Sequence, residues 1–144
     1  MPAPYRFSKN SLAHLKTCHA DLQLIFSNLI TQLDCSILAG YRNADSQNKL
    51  FAQGFSKCRY PHSRHNSQPA MAVDVAPYRA DIKGGVDWQN AAGFAYLAGH
   101  ARAIAWTLKT QGSISHELVW GGDWNQNGQM HDENFADLVH FELR

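Results

Sequence analysis

The sequence predicts an α+β fold, a small antiparallel sheet packed by helices within one domain spanning residues 1–144. Three observations carry this expectation. The first part of the chain has the three- and four-residue apolar rhythm of helices, while four short apolar runs further on have the length and boundaries of strands. Between the second and third of those runs lies one long alanine-rich stretch whose small-residue face suits close packing on a sheet.

From Ser8 to Leu33 the apolar residues Leu12, Leu15, Leu22, Ile25, Phe26, Leu29, Ile30 and Leu33 follow the helical period. Thr17 to Asp21 interrupts it, so one helix ends there and a second starts near Ala20. Cys35 to Gly40 is short, apolar and closed by glycine, as a buried strand is. Tyr41-Arg42-Asn43 forms a loop into a polar helix ending at Gly54, where glycine suits the left-handed cap. Residues 55–69, rich in Ser, Arg, His, Asn and Pro, have no period and read as a loop. Met71, Val73 and Val75 then alternate with Ala72, Asp74 and Ala76 up to Pro77, a strand with Asp74 on the face away from the valines. Asp87 is placed to cap a helix with the stripe Trp88, Ala91, Ala95, Ala98, Ala101, Ala105 and Leu108, ended by Gly112. Glu117–Trp120 and Leu138–Leu143 are two further strands, separated by the polar loop 121–134.

Thirteen Lys and Arg against twelve Asp and Glu leave a formal charge of +1, so no global field favours nucleic acid or an acidic lipid surface. No apolar run approaches the length of a membrane span, and Met1–Arg6 lacks the apolar core of a signal peptide. Three cysteines, Cys18, Cys35 and Cys58, without a CxxC spacing, argue against a disulfide framework and against a thiolate zinc cluster. They read as reduced thiols of a chain made in the cytosol.

A hydrolytic zinc site takes three ligands of the His and carboxylate type and keeps one position for water. His65, Asp74 and His140 make up such a set. In the last strand His140 shares a face with Leu138 and Glu142, and a histidine and a glutamate on one face of an apolar strand suit a cleft better than a core. Asp137, just ahead of that strand, is a carboxylate able to sit beside the set and take a proton. Spacing alone leaves other readings open. A single histidine is as readily structural or solvated, Asp74 as readily a buried hydrogen-bonded aspartate, Arg42 as readily part of a surface ion pair, and His62 competes as a ligand.

Ser63-Arg64-His65, Ala70, Ala72-Val73-Asp74 and Asp137-Leu138-Val139-His140 together resemble the family of zinc D-alanyl-D-alanine carboxypeptidases and L-alanyl-D-glutamate endopeptidases, in its bacteriophage endolysin branch. Tyr41-Arg42 with Gln47, and Trp120-Gly121-Gly122-Asp123-Trp124, extend the resemblance over nearly the whole chain. It implies a fold like that of hedgehog and D-Ala-D-Ala peptidases. It also implies zinc on His65, Asp74 and His140, with Asp137 as general base and Arg42 holding a substrate carboxylate or polarising the scissile carbonyl. Gln47 and Ser63 join Arg42 as substrate-binding residues, Ser63 close to the zinc. The implied activity is hydrolysis of the L-Ala-D-Glu bond in the peptidoglycan stem peptide, causing host lysis. A D-Ala-D-Ala carboxypeptidase with the same metal set and a non-catalytic, zinc-bearing wall-binding module are the alternatives. The implied setting is a monomer made in the host cytoplasm, released by a holin and acting in the periplasm and cell wall. Two features depart from the family pattern: the stretch from His65 to Asp74 is two residues longer than usual, and Ala70 replaces the usual glycine. The longer loop is expected to alter the rim of the site, and with it bond preference, before it alters the metal.

Asp123, Asn125, Asn127 and Gln129 place oxygen donors at alternate positions with Gly128 sixth, like the start of a calcium loop. The twelfth position is Asn134, with Asp132 and Glu133 just before it, so the pattern fits weak calcium binding or a plain polar turn.

Overall fold

The computed structural model describes residues 4–144; Met1–Ala3, part of the stretch read for a signal peptide, lie outside the described residues. Two helices come first. In α1 (Lys9–Leu15) the Ser8 side chain accepts from the Ser11 N–H, and in α2 (Ala20–Leu29) the His19 ring accepts from the Asp21 N–H, so each first turn has a side-chain cap. Leu22, Ile25, Phe26 and Leu29 form the buried face of α2. The polar helix α3 (Ala44–Ala52) is capped by Asn43, and Gly54 follows it in the left-handed region at φ 79°.

Four strands, β1 (Cys35–Ala39), β2 (Ala72–Pro77), β3 (Leu118–Trp120) and β4 (His140–Leu143), form one sheet in the order β1-β2-β4-β3, with every neighbouring pair antiparallel. The last strand therefore inserts between the second and third. Its register sets Val73 opposite Phe141 and Asp74 opposite His140. One face of the sheet is apolar: Val73, Val75, Phe141 and Leu143 are fully buried, and Phe141 meets Phe26 of α2 edge to face at 5.3 Å. The opposite face of the same two strands carries Asp74, His140 and Glu142.

The long helix α4 (Ala91–Thr110) packs on α2, β2 and β3. It starts later than the sequence suggests. Asn90, rather than Asp87, is its cap, accepting from the Gly93 N–H at 3.0 Å. A turn closed by the Asn90 N–H on the Asp87 carbonyl delays the helix, and Asp87 instead accepts from the Gln89 N–H and pairs with Arg79. Trp88 is thereby left 60% exposed, stacked on Phe94, and Phe94 and Leu97 join Ala98, Ala101 and Ala105 in the core. Two smaller differences affect the site: residues Arg64–Asn66 of the expected loop form a 3-10 turn, and Leu138 and Val139 lie in the turn before β4. Among the described residues no helix is long and apolar enough to cross a membrane.

Candidate active site

The site lies on the polar face of β2 and β4. Because Asp74 and His140 are directly opposed across an antiparallel pair, their side chains leave the sheet side by side. His65 comes to them from the 3-10 turn. Ser63 caps that turn, its hydroxyl accepting from the His65 N–H at 3.2 Å while the Asn66 side chain accepts from the Ser63 N–H at 3.0 Å. His65 Nε2 is 3.2 Å and His140 Nδ1 is 3.6 Å from Asp74 Oδ1, and one donor atom of each residue lies within 4.8 Å of the others.

The second nitrogen of each ring is held by the protein. His65 Nδ1 lies 2.8 Å from the Gly40 carbonyl, an acceptor only, so Nδ1 carries the proton and the Nε2 lone pair turns toward Asp74. His140 Nε2 lies 3.0 Å from Glu142 Oε1, which leaves Nδ1 to face the same carboxylate. Once a metal displaces the protons shared with Asp74, both rings would turn lone pairs to one point. The three donors fit a divalent transition metal, with the outer hydrogen bonds that such ligands need. His62 is exposed on the wall of the same cleft and does not belong to the group.

Charges in the cleft are divided sharply. Burial alone would raise the Asp74 carboxyl, but hydrogen bonds and charge from His140 and His65 outweigh it and hold Asp74 far below the ordinary carboxylate range. Burial likewise opposes charge on His140, yet its bonds to Asp74 and Glu142 prevail and push it up to about 9. Asp137 goes the other way: burial first, then repulsion from Asp74, raise its carboxyl above the ordinary value. It lines the cleft from the turn before β4.

Arg42 lines the cleft with Nη2 3.3 Å from Asp74 Oδ2 and Nη1 3.0 Å from Gln47 Oε1. Its backbone N–H donates to the His65 carbonyl and its own carbonyl accepts from the Asn66 side chain, so the loop after β1 is tied to the 3-10 turn. Gln47 is fully buried, its amide donating to Ser56 Oγ and the Cys58 carbonyl. Gln47 does not line the cleft and reaches it only through its bond from Arg42. Glu142, Asn66 and the Gly40 carbonyl were not singled out by the motif. Glu142 had a visible signal in its shared strand face with His140; the other two are backbone or turn contacts with none.

In the loop 123–129 the oxygens of Asp123, Asn125 and Asn127 already accept from the loop's own backbone. Asp123 is buried, accepts from the Asn127 and Gly128 N–H groups, and pairs with Arg102 at 3.1 Å. Asn125 and Asn127 accept from the backbone two residues on and donate to Asp132. Gln129 is exposed. Trp124, at the start of this loop, lies against the His140 ring at 5.4 Å and donates to the Phe135 carbonyl, forming one side of the cleft.

A family model described as phage L-alanyl-D-glutamate peptidase matches residues 3–144. The chain is 29% identical over 132 residues to the L-alanyl-D-glutamate peptidase of Escherichia phage T5, covering 90% of this chain and 88% of that one. Its fold is similar to the crystal structure of the Serratia marcescens L-Ala D-Glu endopeptidase ChiX, with a TM-score of 0.72 at 24% identity over 98% of this chain and 92% of the other.

Proposed function

Since the chain belongs to the phage L-alanyl-D-glutamate peptidase family, we propose that it is an endolysin hydrolysing the L-Ala-D-Glu bond of the peptidoglycan stem peptide, with zinc on His65, Asp74 and His140. The observation that carries this is the opposed pair Asp74 and His140 joined by His65, each ring anchored at its far nitrogen, beside a carboxylate of raised affinity for protons. Zinc bound there would supply Lewis acidity to the scissile carbonyl and bring water toward a pKa of roughly 7.

The chain's own residues do the rest. Asp137 takes the proton of the attacking water and returns it to the departing amine nitrogen as the C–N bond breaks. A carboxyl kept above its usual value by burial is better matched to that exchange near neutrality. Glu142 keeps the His140 proton on Nε2, and Gly40 does the same for Nδ1 of His65. Arg42 is positioned by Gln47 to hold a substrate carboxylate or the scissile carbonyl. Ser63 holds the His65 turn and meets substrate at the cleft wall. Lys57 and Arg64 also line the cleft, and an acidic stem peptide matches them in charge.

Digestion of purified sacculi followed by mass spectrometry tests the proposal. Release of stem peptides that begin at D-Glu, with L-Ala left on the sugar, is the expected result. Loss of only the terminal D-Ala would select the carboxypeptidase reading, and intact stems with zinc bound would select the wall-binding module. The setting belongs to the same proposal: a monomer made in the host cytoplasm, let through by a holin, and acting at the cell wall.

Calcium at the 123–129 loop is a further part of the proposal. Its support is the oxygens of Asp123, Asn125, Asn127 and Asp132, drawn together by hydrogen bonds among them and the loop backbone. Arg102 competes for Asp123. Indifference of both activity and melting temperature to millimolar calcium would remove it.

A further inference from the structure

Outside the active cleft, a second group of metal-type donors comes together. His19 caps α2, Asp21 lies in the first turn of that helix, and His116 lies in the segment that leads into β3. One donor atom from each lies within 4.8 Å of the others. His116 Nδ1 is 2.8 Å from Asp21 Oδ2, His19 Nδ1 is 3.8 Å from Asp21 Oδ1, and the two imidazoles meet edge to face at 4.9 Å. None of the three lines the active cleft.

We propose that His19, Asp21 and His116 form a second binding site for a divalent transition metal, which clips the start of α2 to the segment entering β3. Two imidazoles and one carboxylate are the donor set that zinc takes in a three-ligand site, and donors on one tetrahedral zinc stand about 3.3 Å apart with bonds of about 2.0–2.1 Å. The observed separations, 2.8 Å from His116 to Asp21 Oδ2 and 3.8 Å from His19 to Asp21 Oδ1, lie on either side of that spacing, with the donor atoms of all three residues within 4.8 Å of one another. Side-chain exposures of 29%, 13% and 30% leave the group open to an ion from solution. Asp21 is held in place by the Ser115 and His116 N–H groups at 3.0 and 3.3 Å.

The metal has competitors, and they set its strength. His19 Nδ1 accepts from the Asp21 N–H at 3.0 Å, a bond that metal binding would give up, and the positive end of the α2 dipole opposes a cation. The proton between His116 and Asp21 must also leave. The second site therefore binds more weakly than the first, and more weakly still as pH falls. Because Asp21 and His116 lie 95 positions apart, an ion held by both closes a long segment of chain and stabilises the fold.

The test uses the full chain and zinc alone as probe. Titration of the metal-stripped wild type should reach about two equivalents in two phases, and His19→Ala with His116→Ala should remove the weaker phase while leaving cleavage of sacculi intact. A variant with His65→Ala and His140→Ala should keep the weaker phase and melt at a higher temperature when zinc is added. Saturation of the wild type at about one equivalent, or a weaker phase that survives loss of His19 and His116, overturns the proposal. Should His65→Ala with His140→Ala leave the tighter phase in place, it is the reading of the active cleft that fails instead. If the variants do not fold, the two-phase titration of the wild type still decides, because one phase alone refutes the second site.

Discussion

Two carboxylates, Glu142 and Asp137, flank His140 in opposite electrostatic states. Burial opposes charge on Glu142, but hydrogen bonds from His140 and Arg144 outweigh it, so this carboxyl is held below its usual value and stays ionised. Its work is to fix a tautomer. Replacing it by Gln should weaken metal binding about 10- to 100-fold, as loss of an outer-shell partner does, while the fold is retained; metal titration followed by circular dichroism checks both. Asp137, raised by burial and by Asp74, has to be ionised to accept a proton. Asp137→Asn should lower kcat about 10²- to 10⁴-fold on sacculi with metal content unchanged. The sign of the pH effect follows from the direction of the shift. Activity is present above the raised value and is lost as pH falls through it, so the acid limb of kcat/KM should lie above the ordinary carboxylate value of 3.8. A limb at or below that value would contradict the assignment.

At the scale of elements, Asp137 depends on how two segments meet. Gly121 N–H donates to the His140 carbonyl and the Gly121 carbonyl accepts from the Asp137 N–H, each at 2.8 Å, so the residue after β3 is laced to the turn before β4. A Cβ at Gly121 would fall on the Asp137 backbone. Gly121→Ala should therefore cost about 1–3 kcal/mol of stability and lower kcat beyond what that loss explains. Thermal unfolding and turnover measured on one preparation separate the two effects. The start of α4 illustrates the limit of a local signal. Asp87 and Asn90 are both good caps by residue type, and the choice fell on Asn90 because the Asp87–Asn90 turn and the Arg79 ion pair engage Asp87 first.

For the whole molecule, strand order couples the core to the site. With β4 inside the sheet, each residue of the strand faces either the helices or the cleft, and Phe141, fully buried, lies between His140 and Glu142. Phe141→Ala should cost about 3–5 kcal/mol, a large part of the stability margin of about 5–15 kcal/mol that domains have. Denaturant unfolding measures the loss, and zinc affinity should fall with it because Asp74 and His140 share the register that Phe141 and Val73 maintain.

Local chemistry made much of this protein legible before any tertiary contact was known. Helical rhythm located α1, α2 and α4 and alternation turned Asp74 away from the valines, while the family resemblance carried by the Ser63–His65, Ala72–Asp74 and Asp137–His140 motifs named His65, Asp74, Asp137 and His140, which the fold brings into one cleft. Periodicity reports which face a side chain leaves, since that depends on the backbone of its own element. It carries nothing about which element lies opposite. Only the tertiary structure decided that β4 would insert beside β2 and set His140 against Asp74, and that the Gly40 carbonyl would orient His65. The burial of Gln47 behind Arg42 and the meeting of His19 and Asp21 with His116 were decided there too. Those pairings follow from where the apolar faces of distant segments can be buried together, a property of the whole chain that no short window contains.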